Sequence, residues 1–368
     1  MPSPLQQQQA IAGATFGQSL FSQSTVPLSF GNDDAALAAV ATGVTLSDRS
    51  HWGRIRVTGA DRLRFLHNQT TNQLEQCAPG EGCDTVFVNS TARTLDLVTA
   101  YIEPESVLLL VSPGQAQPLI DWMDRYIFFA DQVTLVDETE TTAAFTLMGP
   151  ERDRILTQLG LPSLVNAPAD HHETITIKSG TRGEIAVKLA VGSGLATPGY
   201  TLIGAADSAA DLWQNLMETG VTPLGEQAWE QLRISQGRPM PNRELTDEIN
   251  PLEAALWQAV SFEKGCYIGQ ETIARLNTYQ GVKQQLWGFA LADGADPGTA
   301  ITLNGDKVGR LTSVVKTAAG MKGLGYLRTK AGGAGLVVDV AETTATVVEI
   351  PFASRGYLAE PVGERVSE

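Results

Sequence analysis

The chain has 368 residues, 43% of them hydrophobic, which is more than one ordinary core accommodates and enough to fill two or three. Its 26 lysines and arginines face 41 acids, a formal charge of -15. That balance excludes the broad basic footprint needed to hold a nucleic-acid backbone or an anionic lipid surface. Three cysteines, Cys77, Cys83 and Cys266, make an odd set with no CxxC pair and fit a reducing compartment better than a secreted disulfide scaffold.

Residues 1–26, with Gln6 to Gln9 and scattered Ser, Gly and Ala, read as a low-complexity tail. No lysine or arginine precedes Arg49, and no apolar stretch approaches membrane-spanning length. A soluble cytoplasmic protein, and a monomer, is the expectation. Arg54 to Thr58 alternates as a strand, and Gly59-Ala60-Asp61 opens a helix that turns Leu63 and Leu66 inward. Phe145 to Met148, followed by Gly149-Pro150-Glu151 and the apolar Ile155, Leu156 and Leu159, repeats that grammar. The two stretches share Gly, acid, Arg, Arg and a final apolar pair, which suggests two related units, the second over about 141–222.

Between them, Thr85 to Asn89, Thr94 to Ile102 and Val107 to Val111 are strand candidates, followed by a helix from about Gln115 to Phe128 and a strand at Val133 to Val136. Strands that lead into strands predict antiparallel α+β sheets, and no GxGxxG follows the first strand. Glu184 to Val191 and Tyr200 to Ile203 continue the second unit. The stripe Leu212, Trp213, Leu216 and Met217 marks an amphipathic helix. A helix through Trp229, Leu232 and Ile234 stops at Gln236-Gly237, and a second helical stretch is expected over Leu252 to Gln258. From about residue 284 short strands with an Asn304-Gly305 hairpin turn predict a separate C-terminal barrel over 284–368.

The chemistry concentrates at Lys264-Gly265-Cys266-Tyr267-Ile268-Gly269-Gln270-Glu271. One cysteine stands between two glycines, beside a lysine and just ahead of a helix. Both the lysine and the helix N-terminus favour a thiolate, so Cys266 is the candidate reactive group, Lys264 its electrostatic neighbour, and Gln270 and Glu271 shape the loop. The competing reading is a buried cysteine serving as a small hydrophobe. Cys77 and Cys83 flank Pro79, Gly80 and Gly82 and read as a plain turn with two uninvolved thiols. His171 and His172 read as solvated loop residues and His67 as a cap or cleft residue. With His51, they have neither triad partners nor zinc spacing.

The octapeptide resembles the Lys-Gly-Cys-[Phe/Tyr]-x-Gly-Gln-Glu signature of the YgfZ-type folate-binding proteins, relatives of the glycine-cleavage T-protein. Val57-Thr58-Gly59-Ala60-Asp61, Phe65-Leu66, Gln69-Thr70-Thr71-Asn72, Gly323-Leu324-Gly325-Tyr326-Leu327-Arg328 and Pro351-Phe352 are similar to further segments of that superfamily, so the resemblance runs from about residue 27 to the C-terminal region. It implies an α+β fold in which three domains, two α+β units and a β-barrel, form a ring around a folate-sized opening. It also implies a T-protein-like folate-binding region over 27–283 and tetrahydrofolate or a folate derivative as cofactor. Trp52 and Trp229 stand where it places ring contacts, with Tyr267 and Gln270 beside the cysteine. Arg233 either holds a folate carboxylate or pairs with Glu230 on a helix surface.

Two departures bear on the reaction. The T-protein has a Gly-Tyr-Thr-Gly-Glu segment whose glutamate pairs with the pterin, whereas Gly192-Ser193-Gly194-Leu195 lacks the acid. Of its paired acids after a Gly-rich turn, one remains here, Asp96, a candidate for proton transfer. The resemblance therefore implies support of iron–sulfur cluster assembly or repair in client enzymes, including tRNA-modifying ones reached indirectly, with cluster proteins or assembly factors as partners and no metal held by the chain. The alternative is folate-dependent one-carbon transfer to another substrate.

Overall fold

In the computed structural model the two similar stretches are one backbone device used twice. Strand β4 (Gly53–Thr58) runs into Gly59 and then helix α3 (Arg62–Gln69), while β9 (Thr142–Met148) runs into Gly149 and then α5 (Arg152–Gln158). Both glycines lie at positive φ, +101° and +128°. A side-chain carbon at Gly59 would stand 2.0 Å from the Gln132 carbonyl oxygen, and one at Gly149 would stand 2.4 Å from that of Gly43. Only glycine fits either turn.

The structure describes residues 2–161, 164, 165, 167–179 and 183–359. The chain divides into one unit of Met1–Leu66, Leu74–Asp84 and Val98–Glu230 and another of His67–Gln73, Thr85–Leu97 and Gln231–Glu368.

In the first unit a six-stranded sheet has the order β10 (His172–Ser179), β11 (Gly183–Val191), β12 (Gly199–Ala205), β9, β3 (Thr45–Asp48) and β13 (Thr222–Leu224). All its pairings are antiparallel except β13 with β3. The core cluster joins Leu46, Phe145, Leu147, Val187, Leu202 and Trp213 to Ile155 and Leu156 of α5. Trp213, Leu212 and Leu216 are buried from α6 (Ala209–Glu218), as the apolar stripe predicts. A five-stranded sheet has the order β5 (Gly82–Val88), β6 (Thr94–Ile102), β7 (Ser106–Val111), β4 and β8 (Thr134–Asp137).

The N-terminal segment is structured, contrary to its reading as a tail. Ser3 and Gln6 form a reciprocal capping box for α1 (Pro4–Ile11), and Gln9 is buried, donating from Nε2 to Asp48 Oδ2 at 2.6 Å. Strands β1 (Thr15–Gln18) and β2 (Thr25–Ser29) then pair as a hairpin, and α2 (Asp33–Thr42) follows. The glutamine run hid a Ser-x-x-Gln start signal. Helix α4 (Ala116–Asp124) is shorter than expected, and Phe128 and Phe129 beyond it are exposed. His172 is not in a solvated loop: it opens β10, is buried, and meets Tyr101 edge to face at 5.3 Å.

In the second unit β14 (Gln284–Leu291), β17 (Gly320–Arg328), β16 (Asp306–Thr317), β15 (Ala300–Leu303), β18 (Val337–Val340) and β19 (Thr343–Val348) close as an antiparallel barrel. Its core includes Phe289, Ile301, Leu311, Leu327, Val338 and Val347. Asn304 and Gly305 both take positive φ, as the predicted two-residue turn requires. Helix α7 (Glu226–Gln236) ends before Gly237, and α8 (Gln270–Thr278) follows the cysteine loop. The helix expected over Leu252 to Gln258 is instead a run of turns that ends in a short 3-10 helix, Trp257–Ala259. Asn250 Oδ1 accepts from the backbone of Leu252 and Glu253, and Ala255 sits at φ +57°. An asparagine that satisfies those donors offers the backbone an alternative to a helix.

Candidate functional site

The tryptophans form a closed aromatic cluster in the first unit. Trp52, between β3 and β4, is 1% exposed, and Trp229 on α7 is 4% exposed. Their rings meet edge to face with centroids 5.5 Å apart, and Phe21 meets Trp229 at 6.3 Å. The Arg49 guanidinium stands 3.7 Å from the Trp52 centroid. Neither indole is thus an open stacking platform, which corrects the reading of Trp52 and Trp229 as such: neighbours from the chain itself occupy those faces. Trp229 Nε1, however, is a buried donor with no hydrogen-bond partner among the described residues. One turn earlier on α7, Glu226 accepts from Ser19 Oγ at 2.7 Å and faces His51 Nε2 at 3.3 Å.

Arg49 also braces the turn Gly192-Ser193-Gly194, donating to the Ser193 carbonyl at 2.9 Å. A side-chain carbon at Gly194 would stand 2.8 Å from its Nη1. The turn carries no acid, yet Asp170 Oδ1 is 3.6 Å from the place a side-chain carbon on Gly192 would occupy. Burial first, and then the charge of Asp84, push the Asp170 carboxyl up to about 8, against a hydrogen bond from the Asp84 backbone. Asp84 Oδ1 in turn accepts from Thr99 Oγ1 at 2.6 Å. Sequence reasoning missed this carboxyl because it starts far from the glycine turn along the chain. Nearby on β11, Lys188 Nζ contacts Glu103 Oε1 at 2.6 Å and His172 Nδ1 at 3.2 Å. Burial, with the Lys188 charge, holds His172 down at about 4.

In the second unit the octapeptide divides into a buried lock and an exposed thiol. Lys264 is 5% exposed, and its ammonium donates to the carbonyls of His67 at 2.6 Å, Thr70 at 2.7 Å and Asn72 at 2.8 Å. Those three carbonyls match its three N–H bonds. The ammonium also lies 4.8 Å from the Tyr267 ring centroid. Lys264 therefore pins the Gln69-Thr70-Thr71-Asn72 segment to the cysteine loop, a structural role the sequence did not announce. Thr71 reinforces the join: its Oγ1 donates to the Ala259 carbonyl at 2.6 Å, and its own carbonyl accepts from the Ser261 N–H at 2.9 Å.

Tyr267 is buried in a cluster with Ala92, Trp257, Val260 and Ile273, and desolvation pushes its phenol pKa up. Gln270 turns back on the loop, donating to the carbonyls of Gly265 at 3.3 Å and Lys264 at 3.4 Å. Gly269 is the left-handed N-cap of α8, where a side-chain carbon would approach the Asn89 carbonyl to 2.8 Å. Cys266 is exposed, whereas Cys77 and Cys83 are only partly so. Asp96 on β6 is completely buried.

Arg233 is also completely buried and has its carboxylate within the chain. Its Nη1 donates to Glu244 Oε2 at 2.9 Å and its Nη2 to Ser313 Oγ at 2.9 Å. Glu244 further accepts from Thr312 at 2.7 Å and Ser313 at 2.6 Å. This corrects both readings of Arg233, as folate clamp and as a surface partner of Glu230. No sequence signal marked Glu244, which sits among polar loop residues.

Residues 5–264 match the GCVT N-terminal domain family model. The chain belongs to this family. It is 45% identical over 339 residues to a putative chloroplastic transferase of Arabidopsis thaliana, covering 91% of this chain and 77% of the relative. It is 28% identical over 343 residues to an aminomethyltransferase of Herpetosiphon aurantiacus, covering 90% and 93%. The glycine cleavage system aminomethyltransferase T of Bartonella henselae superposes with a TM-score of 0.82 at 20% identity, covering 96% of this chain and 98% of that one. The fold is thus aminomethyltransferase-like, with α+β units and a C-terminal six-stranded barrel. Among the described residues no helix is long and apolar enough to cross a membrane, and no group of three or more His, Cys, Asp or Glu could hold a metal ion.

Proposed function

We propose that the protein binds a tetrahydrofolate and transfers a one-carbon group. The observation that carries this reading is Asp96. The resemblance makes it the acid retained at the family's paired position, and it sits completely buried on a strand, where a carboxyl is fixed and shielded from water. Two features of the first unit fit the cofactor's flat, polar-edged ring. Trp229 Nε1 is a buried donor left without a partner among the described residues, and Asp170 brings a carboxyl to the glycine turn that lacks one. Bound tetrahydrofolate supplies the nitrogens that carry the one-carbon unit. In the first unit Asp170 would pair with ring N–H groups; in the second, taken by itself, Asp96 would be the acid that moves a proton and Lys264 would hold the loop frame.

Calorimetric titration with tetrahydrofolate, paired with turnover of methylene-tetrahydrofolate and an amine acceptor, tests the reading. Wild type binds and turns over. Asp96→Asn binds but loses roughly 10²–10⁴-fold in rate, and Trp229→Phe binds more weakly. Absence of binding by the wild type rejects the reading.

The exposure of Cys266 favours a second reading, a YgfZ-type role in iron–sulfur cluster assembly or repair. Here the thiol meets client proteins or assembly factors, tRNA-modifying enzymes are served without RNA contact, and the protein acts as a cytoplasmic monomer. An outward thiol on a locked loop suits exchange with a partner better than chemistry in a closed pocket.

A further inference from the structure

Cys77 and Cys83, expected as bystanders, are hydrogen-bonded to each other through their sulfurs. Between them Ala78 to Glu81 forms a tight turn. The Glu81 N–H donates to the Ala78 carbonyl at 3.0 Å, and the Ala78 N–H donates to Glu81 Oε2 at 2.8 Å. The turn is anchored at its far side, where the Gly80 N–H donates to the Ile102 carbonyl and the Ile102 N–H to that of Glu81, both at 2.9 Å. This geometry holds two reduced thiols side by side on a fixed backbone, both partly exposed to a small reagent.

We propose that Cys77 and Cys83 are a redox modification site that closes reversibly to an intramolecular disulfide, with a low-molecular-weight or protein disulfide as oxidant. The Cys77 thiolate attacks one sulfur of the oxidant and expels the other half as a thiolate. The Cys83 sulfur then attacks the mixed disulfide at Cys77, forming the Cys77–Cys83 bond and releasing the second half as a thiol. The oxidant is reduced to two thiols, the two cysteines are oxidised, and both cysteine protons end on the departing sulfurs or solvent. The order of attack follows the local electrostatics. The Cys83 hydrogen bond lowers the Cys77 pKa against burial, while the same bond, burial and the charges of Cys77, Asp170 and Asp84 raise that of Cys83. The nearby carboxyls give the bond a consequence. Cys83 immediately precedes Asp84, so oxidation replaces a neutral thiol beside the Asp84–Asp170 pair with a covalent bond that ties the start of β5 to the turn.

The proposal does not depend on folate binding, and its test reads the thiols directly. The full-length reduced protein is equilibrated with oxidised glutathione, alkylated and digested with trypsin. Cys77 and Cys83 then fall together in residues 65–93 and Cys266 in residues 265–275. The expected result is a 65–93 peptide lighter by two hydrogens and unalkylated, restored by dithiothreitol and unchanged in Cys266→Ser. In Cys83→Ser, Cys77 is expected to stop at the glutathione adduct. If that variant fails to fold, brief alkylation of reduced wild type is expected to label Cys77 ahead of Cys83. Both thiols alkylated after oxidation, or a link from either to Cys266, overturns the proposal.

Discussion

The aromatic cluster of the first unit and the cysteine loop of the second treat their marked residues in opposite ways. Around Trp52 and Trp229 the side chains close on one another: Arg49 covers one ring, Phe21 edges the other, and the exposure left is 1% and 4%. In the cysteine loop the lysine turns inward and the cysteine is left outside. The difference lies in what each backbone offers. Three carbonyls of the segment 67–72 face Lys264 and satisfy its charge, while Gly265 beside Cys266 provides no bulk to cover a sulfur. A site residue is buried where the fold supplies it with partners, and presented where it does not.

The largest way to break the contrast is Lys264→Met, which keeps the apolar stem and removes the lock. Three carbonyls then lose a charged donor, and about 3 kcal/mol of stability should go with them. Urea denaturation measures it. A loss below about 0.5 kcal/mol would mean that water replaces the ammonium and that the loop is not pinned by it.

A smaller effect separates the regions by pH. Asp170 keeps its proton in the folded state up to about 8, through burial and the Asp84 charge, but in the unfolded chain it ionises near the ordinary carboxylate value of about 4. The folded state therefore binds the extra proton between these values. Stability from it is complete below about pH 4 and is lost as pH rises through about 8. Asp170→Asn removes the titration, and asparagine tolerates the positive φ of +60° at this position. Melting temperatures taken between about pH 5 and about pH 9 should fall in the wild type and stay flatter in the variant. Equal slopes would show that the carboxyl pair is solvated.

Much of the fold was legible because it rests on local rules. Gly59 and Gly149 announced strand-to-helix turns, Asn304-Gly305 announced a barrel hairpin, and the stripe ending at Met217 announced α6. What stayed hidden depends on which partner each side chain finds in the fold. Gln9 is buried because Asp48 accepts from it, Arg233 lost its assigned ligand to Glu244, and Cys77 finds Cys83 across a turn. The candidate site was legible as residue types and illegible as contacts. Nothing in Lys264-Gly265-Cys266 says that the lysine turns toward residues 67–72, because that direction is set by where α3 ends and the Thr-Asn segment passes.

The smallest expected change in stability sharpens the contrast most. Cys266 is exposed, so Cys266→Ser removes no packed group and no buried hydrogen bond, and its melting temperature should match the wild type within error. Its effect on function decides between the two readings of the loop. If the thiol meets clients, the variant should bind folate normally and yet fail to rescue a strain lacking its YgfZ-type protein. If Asp96 carries the reaction, rescue and one-carbon turnover should survive in Cys266→Ser and be lost in Asp96→Asn. A loop held by Lys264 with a dispensable sulfur would then be a structural clamp, and the buried acid on β6 would be the chemically active part of the second unit.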